Sequence, residues 1–310
     1  MYNAMPQLVW FVTGCSTGFG AEFAKAILAK GDYVIATARN VQSLDGLKAM
    51  GAATMQLDVN ETFPNIKEKV QQALGIYGRI DVLLSNAGYA EFDPVENLAH
   101  HLQTNTIATL NLIAAVMPHW REQKSGHIVA NSSINAWWET VPATGSYSAS
   151  KSALDRKSNC TFHWRKSNAR SKGSRYPPEL LKTFVAELKT EGIDYIKTLI
   201  INPGYFVSEV AKPQKHERAL GADWGEYPAL KKMCTDLVPT LHGNQPGDTA
   251  KAARLVIDLV KGEGVGQGRE LPLALPIGND AFVKIKEQTE ATLKMLEEWE
   301  DVIRSTDRQM

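Results

Sequence analysis

The sequence of 310 residues predicts an α/β fold, in which one domain is built on a doubly wound parallel sheet. Short apolar runs of strand length alternate with helical patterns along most of the chain, as in a parallel sheet covered by helices on both faces. Apolar residues make up 44% of the chain, which is enough to bury a large core. No internal repeat is present, so we expect a single domain over residues 1–310.

Seven apolar runs predict the strands in chain order. They cover residues 8–12, 33–37, 54–57, 81–84, 127–130, 195–201 and 271–275. Helical patterns lie between them, for example at residues 22–30 and 66–74, so right-handed crossovers would join successive strands. A charged, mostly helical tail follows at residues 280–310.

Composition argues against several classes of protein. No run of about 18 apolar residues is present, so we expect no membrane-spanning helix. The first seven residues lack the basic segment of a secretion signal, and we expect a cytoplasmic protein. Three cysteines (Cys15, Cys160 and Cys234) are too few and too scattered for a disulfide framework or a zinc site, so no metal is expected.

A net charge of zero hides one basic segment. Residues 156–178 contain seven Lys and Arg and no Asp or Glu, and without these seven the remaining 27 basic residues face 34 acidic ones. No known nucleic-acid-binding module accompanies the segment, so we expect no nucleic-acid partner.

A glycine-containing loop joins the first predicted strand to the first predicted helix. Residues 13–20 have the spacing G-x-x-x-G-x-G. Glycines there let the backbone turn tightly and approach a pyrophosphate, which lies on the helix N-terminus. An ordinary glycine turn explains the spacing equally well, but its position after the first strand favours a dinucleotide site. The candidate residues are Thr13, Gly14, Ser16, Gly18, Phe19 and Gly20.

Arg39, at the end of the second predicted strand, favours NADP(H) over NAD(H). A carboxylate at this place would bind the ribose hydroxyls of NAD, whereas a guanidinium can pair with a 2′-phosphate through two hydrogen bonds. A solvated arginine is the alternative.

Tyr147 and Lys151 are four residues apart, so they share one face of a helix. A free phenol titrates near ~10, so acid–base chemistry near neutrality needs a pKa shift of roughly 3 units, or about 4 kcal/mol. A unit charge at ~4 Å in an effective dielectric of ~20 supplies about that much, whereas burial acts in the opposite direction. Taken alone, the spacing is more often an ordinary surface pair.

Five motifs in order make residues 8–280 resemble the short-chain dehydrogenase/reductase family. They are residues 13–20, Asn86-Ala87-Gly88, Ser132-Ser133, Tyr147 with Lys151, and Pro203-Gly204. The resemblance implies a Rossmann-type fold and an NADP(H)-dependent oxidoreductase that interconverts a carbonyl compound and an alcohol by hydride transfer. It also implies a homodimer or homotetramer.

By this resemblance four residues are catalytic. Tyr147 would exchange a proton with the substrate, and Lys151 would lower the pKa of the phenol and hold the nicotinamide ribose. Ser133 would bind the substrate oxygen. Asn105 would hold the water of a proton relay, and a buried asparagine without a catalytic part is the alternative. The other implied cofactor contacts are Asp58 at the adenine, Asn86, Ala87 and Gly88 beside the sheet centre, Pro203 and Gly204 against the nicotinamide, and Ser208 at its carboxamide.

Several neighbouring residues allow more than one interpretation. Relatives place the serine thirteen residues before the tyrosine, whereas Ser133 lies fourteen before it; the alternation of side chains along a strand points Ser132 to the opposite side. Trp137 and Trp138 would form the wall of an apolar substrate pocket or, equally, a subunit contact. We expect Cys15 to be a small buried residue, and His100 and His101 to be solvated and without metal-ligand spacing.

The chain departs from the family in two places. The stretch between Gly88 and Asn105 is several residues shorter, so the helix carrying Asn105 would start late. Residues 156–178 interrupt the helix that begins at Tyr147 and Lys151, and the two prolines at the end of the segment would stop any helix. Joining Asp155 directly to Glu179 aligns one apolar helical stripe, formed by Leu154, Leu181, Phe184, Val185 and Leu188.

We hypothesise that residues 156–178 are a translated intron or a gene-model error. The segment is aperiodic, and the codons for residues 156–158 can contain a splice-donor sequence; genomic DNA without a GT donor there would refute the idea. A basic surface loop that recruits an acidic partner is the alternative. If the split helix impairs catalysis, the chain would be a dinucleotide-binding isoform or regulator. Residues 205–242 contain no signature that identifies the substrate.

Overall fold

The computed structural model describes residues 7–137, 142–155, 180–208, 224–241 and 243–308. Its strands are β1 Val9–Val12, β2 Tyr33–Ala38, β3 Ala53–Gln56, β4 Val82–Ser85, β5 Gly126–Asn131, β6 Ile196–Pro203 and β7 Ala274–Ile277. They form one seven-stranded sheet in the order β3-β2-β1-β4-β5-β6-β7, and every pair is parallel. The chain reverses its winding between β1 and β4, which confirms the doubly wound α/β fold.

Helices cover both faces of the sheet. They are α1 Gly18–Ala29, α2 Asp45–Ala49, α3 Phe63–Tyr77, α4 Leu98–Leu102, α5 Ala108–Gln123, α6 Gly145–Asp155, α7 Leu180–Thr190, α8 Pro228–Leu241, α9 Thr249–Lys261, α10 Asn279–Glu298 and α11 Glu300–Arg304. A π-helical turn, Gln103–Ile107, joins α4 to α5. The last two helices confirm the predicted helical tail.

Side-chain alternation along the strands separates two apolar cores. In β1, Val9 and Phe11 face a cluster that includes α3, α5, α6 and α7. Trp10 and Val12 face a second cluster that includes α1 and α9. Because successive side chains of a strand point to opposite faces, an almost wholly apolar strand such as β1 must be buried on both sides.

The seventh strand lies later in the chain than predicted. Residues 271–275 were expected, whereas β7 pairs Ala274 with Ile200 and Ile277 with Pro203. Leu271 packs against the core but does not pair with β6. The prediction began the strand too early because it relied on the apolar character of this residue alone. Pro276 lies inside β7, at the edge of the sheet, where a missing backbone N–H is tolerated.

The two halves of the predicted split helix pack on the same core. α6 ends at Asp155 and α7 begins at Leu180. Leu154, Leu181 and Leu188 are buried in one cluster, and Phe184 packs against it, as the joined stripe predicts. The insertion itself, residues 156–178, lies outside the described residues, as do Cys160 and Trp138.

The part of the chain that the structure describes contains neither a membrane-spanning helix nor a cluster of metal-binding side chains. No helix among the described residues is both long and apolar enough to cross a membrane. In the same part of the chain, no group of three or more His, Cys, Asp or Glu side chains could hold a metal ion.

Candidate active site

The glycine loop between β1 and α1 has a shape that only glycine permits. Gly14 has φ +70°, and a Cβ there would lie 2.9 Å from the Ala87 Cα. A Cβ on Gly20 would lie 2.2 Å from the Gly14 carbonyl oxygen. Thr17, the N-cap of α1, makes no side-chain capping hydrogen bond, and the first turn has no acidic residue. The N–H groups at this helix end can therefore bind an anion.

Hydrogen bonds tie the loop to the ends of two neighbouring strands. The Thr13 hydroxyl accepts from the backbone N–H groups of Asn86 and Ala87, both at 3.0 Å. The Asn86 amide donates to the Thr13 carbonyl at 2.9 Å. The Asn131 amide donates in turn to the Asn86 side chain at 2.8 Å. These hydrogen bonds fix the carboxyl ends of β1, β4 and β5 relative to one another beneath the glycine loop.

Other predicted cofactor residues lie at the same edge of the sheet. Arg39 is exposed directly after β2, and no ion pair involves it among the residues that the structure describes. Asp58 is half-buried after β3 and accepts a hydrogen bond from the Asn60 N–H at 3.0 Å.

Ser208 lies over the glycine loop, because a Cβ built on Gly18 would be 3.6 Å from the Ser208 Cβ. Ser16 is exposed, and the Phe19 ring contacts the tilted Phe206 ring at 5.2 Å between centroids. Pro203 and Gly204 follow at the end of β6.

Lys151 is buried beside Tyr147 on α6. Its ammonium donates to the Asn131 carbonyl at 2.8 Å and lies 5.9 Å from the centroid of the Tyr147 ring. Burial lowers the pKa of Lys151 to about 8.

Ser133 is the serine that reaches Tyr147. Burial raises the pKa of the Tyr147 phenol, the nearby Ser133 hydroxyl lowers it, and Tyr205 raises it further. The Ser133 hydroxyl also accepts a hydrogen bond from the Asn135 N–H at 3.1 Å. The net direction is upward, opposite to the lowering predicted from Lys151, because a buried phenolate loses its hydration. Ser132 instead donates to the Lys151 carbonyl at 3.4 Å.

Asn105 lies in the π-helical turn and contacts both sides of the site. Its side chain accepts from the Tyr89 N–H and donates to the Ser150 hydroxyl, both at 3.0 Å. A Cβ on Gly88 would be 2.8 Å from the Asn105 Oδ1 and 3.6 Å from the Lys151 Nζ. Glycine at this position therefore leaves room for both side chains, and the π-turn sets the direction of Asn105.

The prediction that His101 is solvated is wrong, although His100 is exposed as expected. His101 is 1% exposed, and its Nε2 lies 3.1 Å from the Asp93 carboxylate. Its ring stacks on Tyr89 at 4.6 Å and meets Tyr147 edge-on at 6.4 Å. The short segment after β4 folds back onto α4 and α6, and this long-range contact buries the histidine. Cys15 is buried as predicted, and burial raises its pKa to about 12.

Sequence reasoning missed two polar residues behind Ser133. Asp155 accepts a hydrogen bond from the Trp137 indole N–H at 3.1 Å, so the polar edge of this ring points into the protein. Asn202 donates both to Asp155 and, at 3.2 Å, to the Ser133 carbonyl. One signal was available, because Asp155 follows Tyr147 by eight residues and therefore shares its helix face.

A small apolar cluster lies beside the start of α6. Phe92, Trp224, Cys234 and Val238 are buried together, and Ala143 packs against them. The Asp93 N–H donates to the Ala143 carbonyl at 3.0 Å, so the segment after β4 and the segment before α6 are joined here. Apolar side chains of α8 therefore pack against the segments that precede α4 and α6.

Comparison with known proteins identifies the class. The family model described as "short chain dehydrogenase" matches residues 8–162, half of the chain, and the chain belongs to this family. It is 34% identical over 158 residues to the oxidoreductase BOA17 of Botryotinia fuckeliana and 32% identical over 198 residues to an uncharacterized oxidoreductase of Schizosaccharomyces pombe. These matches cover 47% and 62% of this chain, and they span only 56% and 70% of those proteins.

Among solved structures, the fold is similar to a short-chain dehydrogenase from Streptomyces avermitilis. The TM-score is 0.74 at 29% identity, and the alignment covers 98% of this chain and 100% of that one. The chain therefore keeps the architecture of a family member, although residues 156–178 separate α6 from α7.

Proposed function

We propose that this protein is an NADP(H)-dependent oxidoreductase that interconverts a carbonyl compound and an alcohol. The observation that supports this most directly is the meeting of Ser133, Tyr147, Lys151 and Asn105 beside the glycine loop. Family membership supports the same reaction type. A small-molecule substrate and a second copy of the chain are the proposed partners.

The residues present fit a nicotinamide dinucleotide. Gly14 and Gly20 allow the tight turn of the loop, because a Cβ at either position would clash with neighbouring protein atoms, and the uncapped start of α1 can bind the pyrophosphate. Arg39 would pair with the 2′-phosphate, Asp58 would lie at the adenine, and Lys151 would hold the nicotinamide ribose. When bound, the dinucleotide supplies or accepts the hydride.

Tyr147 would move the proton that accompanies the hydride. In reduction its hydroxyl would donate to the carbonyl oxygen, and in oxidation its oxygen would accept the alcohol proton. Ser133 would hold the same substrate oxygen by a hydrogen bond. Lys151 lies beside Tyr147, so its ammonium would pass the proton on to a water, and Asn105 would hold that water.

The test is turnover of purified protein with NADPH and a panel of aldehydes and ketones, including long apolar ones. We expect Tyr147→Phe to reduce kcat/KM by about 10²–10⁴-fold, since it removes the general acid. Tyr33→Phe is the matched control, because Tyr33 stacks on Tyr77 at the opposite end of β2. NADPH binding without turnover of any carbonyl compound would support a dinucleotide-binding regulator instead.

A further inference from the structure

Asp155 is a fully buried carboxylate for which the proposed reaction has no use. It is the last residue of α6, and its exposed fraction is 0%. Ionised carboxylates are costly to bury unless several donors surround them. Asp155 has three: the Trp137 indole N–H at 3.1 Å, the Asn202 amide, and the Lys182 ammonium at 3.0 Å.

Two of these donors lead to the segment that carries Ser133. The Asn202 amide also donates to the Ser133 carbonyl at 3.2 Å, so one amide group joins Asp155 to the serine backbone. Ser133 caps a short 3₁₀ helix, Ile134–Ala136, and Trp137 follows that helix directly. The carboxylate therefore holds both ends of this short segment.

We propose that Asp155 is a positioning residue that holds the Ser133 segment, and with it the Ser133 hydroxyl, beside Tyr147. The amide of Asn202 and the indole of Trp137 transmit its effect. This inference rests on the proposed function, because it takes Ser133 and Tyr147 as the reacting pair. Asp155 itself is fully buried and would touch neither substrate nor cofactor.

Lys182 makes this arrangement depend on the split helix. It lies on α7, after the interruption, yet its ammonium pairs with Asp155 and lies 5.3 Å from the centroid of the Trp137 ring. The charge that balances the buried carboxylate therefore comes from the second half of the helix. Docking of α7 onto α6 is coupled in this way to the position of Ser133.

The test reads the ionisation of Tyr147 directly. Protein labelled with ¹³Cζ-tyrosine is titrated by NMR without cofactor, and the Tyr147 signal is assigned by its loss in Tyr147→Phe. We expect Asp155→Asn to raise the Tyr147 pKa by about half to one pH unit. The Trp137 and Asn202 donors share one carboxylate oxygen and Lys182 pairs with the other, so the NH₂ group of an amide must face either the two donors or the ammonium, and the Ser133 segment shifts in both cases. The other polar or titratable groups near the phenol, Lys151, His101 and Tyr205, are unchanged in this variant.

A double-variant cycle separates positioning from a general structural effect. Ser133→Ala alone should raise the same pKa, and adding Asp155→Asn should raise it no further, because both changes remove one interaction. Additive shifts, or an Asp155→Asn value equal to that of the unchanged protein, would overturn the proposal. Should Asp155→Asn fail to fold, Asn202→Ala cuts the same connection and must give the same shift.

Asp32→Asn is the matched control. Asp32 is also a buried carboxylate, accepting from the Trp10 indole at 3.0 Å and from Lys261 at 2.8 Å, but it precedes β2 at the opposite edge of the sheet. It should lower the melting temperature and leave the Tyr147 pKa unchanged. Because the titration needs no turnover, a protein inactive on every carbonyl compound could still show the Asp155 effect.

Discussion

Lys151 is the residue at which burial and charge conflict most clearly. It is 5% exposed, and burial lowers its pKa from 10.5 to about 8. In the unfolded chain the amine keeps its ordinary pKa, so between these values the unfolded state binds more protons than the folded state. The contribution of Lys151 to the free energy of unfolding therefore increases as the pH rises from about 8 to 10.5.

Replacing this lysine should stabilise the protein at neutral pH. We expect Lys151→Met to raise the free energy of unfolding near pH 7 by about 2 kcal/mol, the desolvation cost minus one lost hydrogen bond. The gain should shrink as the pH rises above about 8, because the buried amine then becomes neutral. Above pH 10 the raised pKa of Tyr147 acts in the opposite direction and lowers stability.

Urea denaturation at pH 7, 8, 9 and 10 measures this difference. Lys189→Met is the control, since Lys189 is exposed on α7 and should show no such pH dependence. A Lys151→Met protein no more stable than the unchanged one at pH 7 would contradict the argument.

At the scale of elements, α6 and α7 behave as two parts of one helix. If residues 156–178 are removed from the count, Lys182 follows Asp155 by four positions, and Leu181 follows Leu154 by four. The first pair is an ion pair at 3.0 Å and the second shares one buried cluster. These are the contacts that a continuous helix makes between successive turns.

Deleting residues 156–178 should therefore stabilise the fold. Closing a loop of this length costs about 3 kcal/mol of chain entropy, which a continuous helix avoids, so the melting temperature should rise by roughly 5 °C or more. Calorimetry and soluble yield are the measurements. A Gly/Ser segment of the same length in place of residues 156–178 keeps the loop, and we expect it to melt near the original temperature. A deletion that lowers the melting temperature would mean that the segment is part of the fold.

At the scale of the whole molecule, the candidate site and two of the charge pairs lie at opposite edges of the sheet. The carboxyl ends of β1, β4, β5 and β6 carry the glycine loop, Asn86, Ser133 and Asn202. The other edge carries Asp32 with Lys261, and Arg79 with Asp81. A ligand at the first edge can therefore stabilise the whole sheet without disturbing these pairs.

NADPH should raise the melting temperature more than NADH does. At a concentration of 100 times its Kd, a ligand of the folded state adds about 2.7 kcal/mol, or roughly 5–10 °C for a chain of this size. Arg39→Ala should reduce the NADPH shift and leave the NADH shift unchanged, because only NADPH carries the 2′-phosphate. Arg304→Ala, on the exposed terminal helix, is the control. Equal shifts with both cofactors would refute the assignment of Arg39.

Much of the site could be predicted because its key residues lie in local motifs. Tyr147 and Lys151 share a helix turn, and the glycine loop has a backbone requirement that is visible in the residues themselves. Asp155 and Asn202 were missed because each acts through a partner distant in the chain. The Asn202–Ser133 bond spans 69 positions and the Asn202–Asp155 bond spans 47.

The sequence by itself determined the α/β class, the position of six of the seven strands, the glycine loop and the broken helix. Periodicity and turn chemistry are local properties, so the order of residues carries them. Only the tertiary structure decided where β7 pairs, and that His101 and Asp155 are buried. These outcomes depend on which distant groups meet and exclude water, and a buried polar side chain is held only where its partners already lie.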